Sequence, residues 1–126
     1  MRAMTRTAAE DEVIVELPAH PRSGQIARAA VDDLADTLRP DTMAKLRLLV
    51  TEMVVAALTP DQTGPLRLTV RARAGAVRAE LAPAAATEEL VEPLRPRRWS
   101  LFLVNRIADR WGAGDSLWFE VDGPER

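Results

Sequence analysis

The chain has no cysteine and a single histidine, His20. The first absence removes disulfides, thiolate nucleophiles and cysteine-ligated zinc together, and it suits a cytoplasmic protein. The second leaves histidine-based triads and multi-histidine metal sites with little to work with. His20 itself stands between Pro18 and Pro21, in what reads as a solvated loop. No apolar run approaches the ~18 residues that a membrane span needs. The opening "MRAMTRTAAEDE" lacks the apolar stretch of a signal peptide, and residues 1–11 are expected to form a flexible tail. Lys45 is the only lysine; arginine supplies the other basic residues, and alanine is abundant. That bias reads as a GC-rich bacterial genome and carries no mechanism. A formal net charge of −2 argues against a general nucleic-acid binder, which usually has a strongly basic domain.

What is present suffices for one domain. The length of 126 residues allows one core but not two, and an apolar share of 47% is ordinary for a folded chain. "EVIVEL" (12–17) is a β-branched run ending at Pro18, which predicts a strand. Ala27, Ala30, Val31, Leu34, Ala35 and Leu38 recur at helical spacing, which predicts a helix over 24–39 with Ser23 as cap and Pro40 as stop. A second helix follows over 43–58, capped by Asp41 or Thr42. Alternation predicts strands at 66–73 and 76–82, joined as a hairpin through Ala74-Gly75. Residues 83–98 hold three prolines and no sustained period, the mark of a long irregular connection. A helix over 100–110, the turn "WGAGD" and a strand over 116–121 complete the chain. This order, with one-sided alternation in the strands, implies an α+β two-layer sandwich: an antiparallel or mixed sheet with helices on one face.

The second helix carries the stretch "LRLLVTEMVVAAL" (46–58), apolar but for Arg47, Thr51 and the lone acid Glu52. Leu46, Leu49, Val50, Met53 and Ala57 form the stripe expected to meet the sheet. Glu52 falls roughly opposite, beside Leu48, Val55 and Ala56. One reading makes Glu52 a partly solvated surface acid near Lys45. The other has it look into a cleft between this helix and the 83–98 connection.

"LLVTEMVVAAL" resembles the helix "LxVSELVTNAxxH" of the anti-sigma-factor serine kinases, members of the GHKL (histidine kinase/HSP90-like) ATPase superfamily with the Bergerat fold. The closing "LFLVNRIADRWGAGDSLWFEV" is similar to that family's "LxLVxxLADRWG…tVWFEL", and "SGQIARAAVDDL" fits its first helix. The resemblance implies one Bergerat-type domain over 12–126, with 83–98 as its ATP lid and Glu52 in the place of the general base. The remaining motifs depart from the family pattern. Ala56 stands where an asparagine would hold Mg²⁺, and a methyl group offers that ion no oxygen. Pro60 replaces the following histidine. Pro83 falls at or next to the aspartate that would accept from the adenine amine; no acid follows before Glu88, and Ala84–Ala86 replace flexible glycines. Leaving that amine unpaired costs about 1–3 kcal/mol. In "RWSLFLV", Arg98 and Ser100 take the places of glycines that would approach the phosphates. Metal, base and phosphate contacts are thus all affected. The expectation is a fold that binds neither ATP nor Mg²⁺, with Glu52 as the remnant of a general base.

Two surfaces remain as candidates. Arg95, Arg97 and Arg98 precede a helix start, where guanidinium groups and amide donors both favour anions. Trp118 and Ile14 are expected to point away from the helices, as a partner or homodimer interface. Arg67, Arg71, Arg73 and Arg78 share that sheet face; they suit an acidic partner or a nucleic acid, or simply make the wet face of a hairpin. The resemblance implies partner switching, in which such domains bind a sigma factor or a small antagonist domain. Three function classes follow: a non-catalytic regulator that binds a protein partner, an active ATP-dependent serine/threonine kinase, and a small-anion or nucleic-acid binder on the same scaffold.

Overall fold

Period-two patterning makes one sheet here, and period-3.6 patterning covers one side of it. The structure, a computed structural model, describes residues 2–6, 10–58, 64–73, 75–84, 101–114 and 116–123. Along the chain run β1 (Arg2–Arg6), β2 (Glu10–Leu17), α1 (Ser23–Val31), α2 (Pro40–Ala57), β3 (Leu66–Arg73), β4 (Ala76–Pro83), α3 (Leu101–Ile107), β5 (Arg110–Ala113) and β6 (Leu117–Asp122). Among the described residues the sheet has six strands in the order β1-β2-β3-β4-β6-β5. Every pairing is antiparallel, which decides between the antiparallel and mixed alternatives.

Register places one apolar row set on a single face. Val13 pairs with Val70 and Val70 with Ala79, which in turn lies opposite Phe119. All of these are buried, as are Val15, Leu68, Leu81 and Leu117 in the neighbouring row. α1 packs on β2, and α2 packs on β4 and β6, so the core lies between these helices and this face. On α2 the buried stripe includes Leu46, Leu49, Val50, Met53 and Ala57, the positions that the helical wheel assigns to the sheet.

Five local features differ from the sequence expectations. Residues 1–11 are not a tail throughout: Arg2–Arg6 pair with β2 from Arg2↔Val15 to Arg6↔Asp11. "RAMTR" has weak strand propensity, but the outer edge of β2 offers backbone groups that a preceding segment can satisfy. α1 ends at Val31 and tightens into a 3-10 turn over Asp32–Leu34 instead of running to 39. Asp and Thr are poor helix-interior residues, and here Asp32 accepts from Arg47 Nε at 2.8 Å while Thr37 Oγ1 donates to Asp11. Leu34 and Leu38 are nonetheless buried. Pro40 starts α2 rather than stopping α1, because a first-turn proline loses no helical hydrogen bond. Arg39 and Arg22 occupy the N-cap positions without side-chain caps, and Ser23 Oγ instead donates to the Pro18 carbonyl. Finally, Arg110–Ala113 form an edge strand where a helix end and turn are expected. Pairing with β6 overrides the weak strand propensity of "RWGA".

Candidate functional site

α2 displays Glu52 on its outward stripe. Leu48 and Val55, at helical spacing on either side, are 42% and 41% exposed, and Glu52 is half-buried between them. Among the described residues Glu52 has no hydrogen bond or ion pair, and none joins it to Lys45. One turn further on, Ala56 is only 1% exposed and belongs to the core cluster. Glu52 and Ala56 therefore face different surroundings, one reachable from outside and one packed. Pro83 is the last residue of β4, opposite Leu66 and half-buried. The next residue, Ala84, donates its N–H to the Pro65 carbonyl at 3.0 Å. Arg95, Arg97, Arg98 and Ser100 lie outside the described residues, as does most of the 83–98 connection. His20 is exposed in its loop, where its Nδ1 accepts the Arg22 N–H at 3.0 Å. No group of three or more His, Cys, Asp or Glu side chains among the described residues is arranged to hold a metal ion. No helix among them is long and apolar enough to cross a membrane.

The face that carries no helices is a charge ladder. Its rows follow from the register. Glu12 lies opposite Arg71, Arg71 opposite Arg78, Arg78 opposite Glu120 and Glu120 opposite Arg110. Arg71 Nε donates to Glu12, tying β2 to β3. Arg110 Nε donates to Glu120 at 3.2 Å and its amino groups reach Asp122, tying β5 to β6. These hydrogen bonds raise Arg110 further above its already high ordinary value. The hydrogen bond from Arg110, aided by its positive charge, holds the Asp122 carboxyl below the usual carboxylate range, against a smaller opposing effect of desolvation. Ser116 Oγ donates to Glu80 at 2.9 Å.

The adjacent row contains both residues singled out as interface candidates. It reads Ile14, Thr69, Glu80, Trp118 and Gly112 across the strands. Ile14 and Trp118 are each half-buried on the helix-free face, but Thr69 and Glu80 lie between them. Three strand spacings separate the two side chains by roughly 14 Å, so they do not form one continuous apolar patch. Trp118 is also held within its own chain. The Arg78 guanidinium carbon lies 4.3 Å from the ring centroid, a cation–π contact. On the β5 side the indole fills the space above Gly112: a Cβ built there would fall 2.7 Å from Cε2 and 2.9 Å from Cζ2. Sequence reading missed this arrangement because it depends on which residue of β5 lies opposite Trp118. The only signal was a glycine two residues after an arginine in the stretch before the last strand.

These features define an α+β domain whose antiparallel sheet has helices on one side and a charged, tryptophan-bearing surface on the other. No family model matches the chain, and no curated protein matches its sequence.

Proposed function

We propose that this chain is a non-catalytic regulatory domain of the anti-sigma-factor, partner-switching type. On this reading it has a Bergerat-type fold, resides in the bacterial cytoplasm and acts by binding a sigma factor or antagonist-type domain without nucleotide. The observation that carries the reading is Ala56. At the position where the sequence resemblance calls for a magnesium ligand, the chain places a methyl group that is 1% exposed in the core. The order of elements supports the same scaffold, with the glutamate-bearing α2 ahead of the β3–β4 hairpin and α3 ahead of the last strands.

Calorimetry of the whole chain with ATP and Mg²⁺ tests the nucleotide half of this proposal. No binding heat is expected from the native chain, and little from Ala56→Asn, since the changes at Pro83, Arg98 and Ser100 remain. Micromolar binding would overturn it and favour the active serine/threonine kinase, because Glu52 is retained and reachable on α2. The partner half is tested by measuring association with a sigma factor or antagonist-type domain encoded beside the gene.

A further inference from the structure

We propose that the outward face of α2 pairs with the same face of a second copy of this chain, antiparallel about a two-fold axis. Glu52 of each copy is then set against Lys45 of the other. This inference stands apart from the nucleotide and sigma-factor readings above, and it gives the lone acid of α2 a partner. Lys45, Leu48, Glu52 and Val55 follow one another at intervals of three, four and three residues. That is the spacing of a helix–helix seam, here turned away from the sheet. The large apolar side chains left exposed among the described residues are Ile26 on α1 and, on this seam, Leu48 and Val55. Small side chains flank them: Ala44 is exposed, and Thr51 is half-buried with its Oγ1 donating to the Arg47 carbonyl at 2.8 Å. Gly24 of α1 approaches Val55 without covering it; a Cβ built there would fall 3.7 Å from Val55 Cγ2.

Charge decides the occupant and its direction. α2 carries four charged side chains, Asp41, Lys45, Arg47 and Glu52, two of each sign. Arg47 is engaged at the α1 border, where its Nε donates to Asp32 at 2.8 Å. Asp41 lies in the first turn, outside the apolar stretch. Lys45 and Glu52 have no hydrogen bond or ion pair among the described residues. Seven residues make nearly two helical turns, so the two stand on the same edge of the face, roughly 10 Å apart. A parallel copy would set each of these charges against its like. An antiparallel copy, with the two-fold axis passing beside Leu48, sets Glu52 against Lys45 twice. The same register puts Leu48 against its own copy and Val55 over Ala44, each contact being repeated by the symmetry. The face is complementary to itself.

Size sets the strength. A face of about three helical turns buries less than the ~1,200 Å² of a stable interface. The pairing is therefore weak and reversible, with an expected Kd of about 100 µM. A net charge of −2 sets little general repulsion against it. The two Glu52–Lys45 pairs lie at the rim of the contact, where salt screens them. They fix register and direction, while Leu48 and Val55 supply the burial.

The test is sedimentation equilibrium of the full chain at low ionic strength, from about 10 µM to 1 mM, a range that brackets that Kd. A monomer–dimer equilibrium is expected, weakened by added salt. Leu48→Ser should weaken it about tenfold or more. K45E and E52K each leave two like charges on the seam and should each weaken self-association about tenfold. Mixed one to one, these two variants should form a heterodimer at least as strong as the native pair. The double variant K45E/E52K should self-associate like the native chain. Arg67→Gln, on the helix-free face, should change nothing; circular dichroism checks that each variant folds. A chain that stays monomeric throughout, a mixture that fails to recover association, or equal loss in Arg67→Gln would overturn the pairing. A monomeric chain whose Leu48→Ser variant loses binding to a sigma factor or antagonist-type domain would give this face to that partner and overturn the homodimer.

Discussion

Gly112 is a position where one methyl group decides how a large ring sits. Because a Cβ there would lie within 3.0 Å of three Trp118 ring atoms, Gly112→Val must displace the indole or shift β5. Overpacking of this kind costs about 1–3 kcal/mol. The expected result is a lower urea midpoint with little change in slope. The effect should largely disappear when Trp118→Ala is combined with it, which a double-mutant cycle would show. A second residue-scale prediction concerns acid. Asp122 is held below the usual carboxylate range by Arg110, so its ionised form is favoured in the folded chain. Its contribution to stability is complete above the ordinary Asp value of about 3.9. It fades as pH falls through that value and is gone below the depressed folded value. Asp122→Asn should remove this component, so the stability difference from the native chain should shrink on acidification. A difference that stays constant across that window would show that the carboxylate is not what Arg110 recognises.

At the scale of elements, the β3–β4 hairpin turns on one glycine. Gly75 has φ 82°, a left-handed conformation that costs a residue with a Cβ about 1–2 kcal/mol. Its carbonyl also accepts the Gly123 N–H at 3.1 Å, so the turn is tied to the end of β6. Gly75→Val should lower the thermal midpoint and weaken hydrogen-exchange protection in β3, β4 and the end of β6, leaving α1 less affected. This hairpin was readable in advance, since strict alternation on both sides of Ala74-Gly75 specifies strands and turn together. The stripe of α2 was readable for the same reason, and so were the buried Leu34 and Leu38. Their backbone was not. Apolar spacing reports which side chains face the core, whereas Asp32 and Thr37 divert the chain through bonds to Arg47 and Asp11, partners distant in sequence. β1 and β5 were missed because edge strands this short are held by pairing, and pairing partners cannot be read from local composition. At the candidate site, Glu52, Ala56 and Pro83 could be named from motif positions. The Arg78–Trp118–Gly112 stack could not, because it joins three strands.

Considered whole, the molecule commits its apolar surface to one side of the sheet and its charges to the other. Phe119 lies on the committed side, fully buried on β6 between rows from β4 and the edge strand β5. Phe119→Ala should cost about 3–5 kcal/mol, measured by urea unfolding, whereas Arg67→Ala on the exposed face should change stability little. The connectivity has a kinetic consequence. β3 meets β4 across a tight turn, but β2 meets β3 only after the whole of α1 and α2 has been spanned, from Leu17↔Leu66 onward. Contacts between distant parts of a chain bear a loop-closure cost before they return any stabilisation, which slows folding. The hairpin is therefore expected to be an early structure and the β2–β3 seam a late one. In stopped-flow experiments Val77→Ala should mainly slow refolding, and Val15→Ala should mainly speed unfolding. Until that seam closes, the inner edge of β3 is open to strand pairing with another chain, which makes the refolding yield depend on protein concentration.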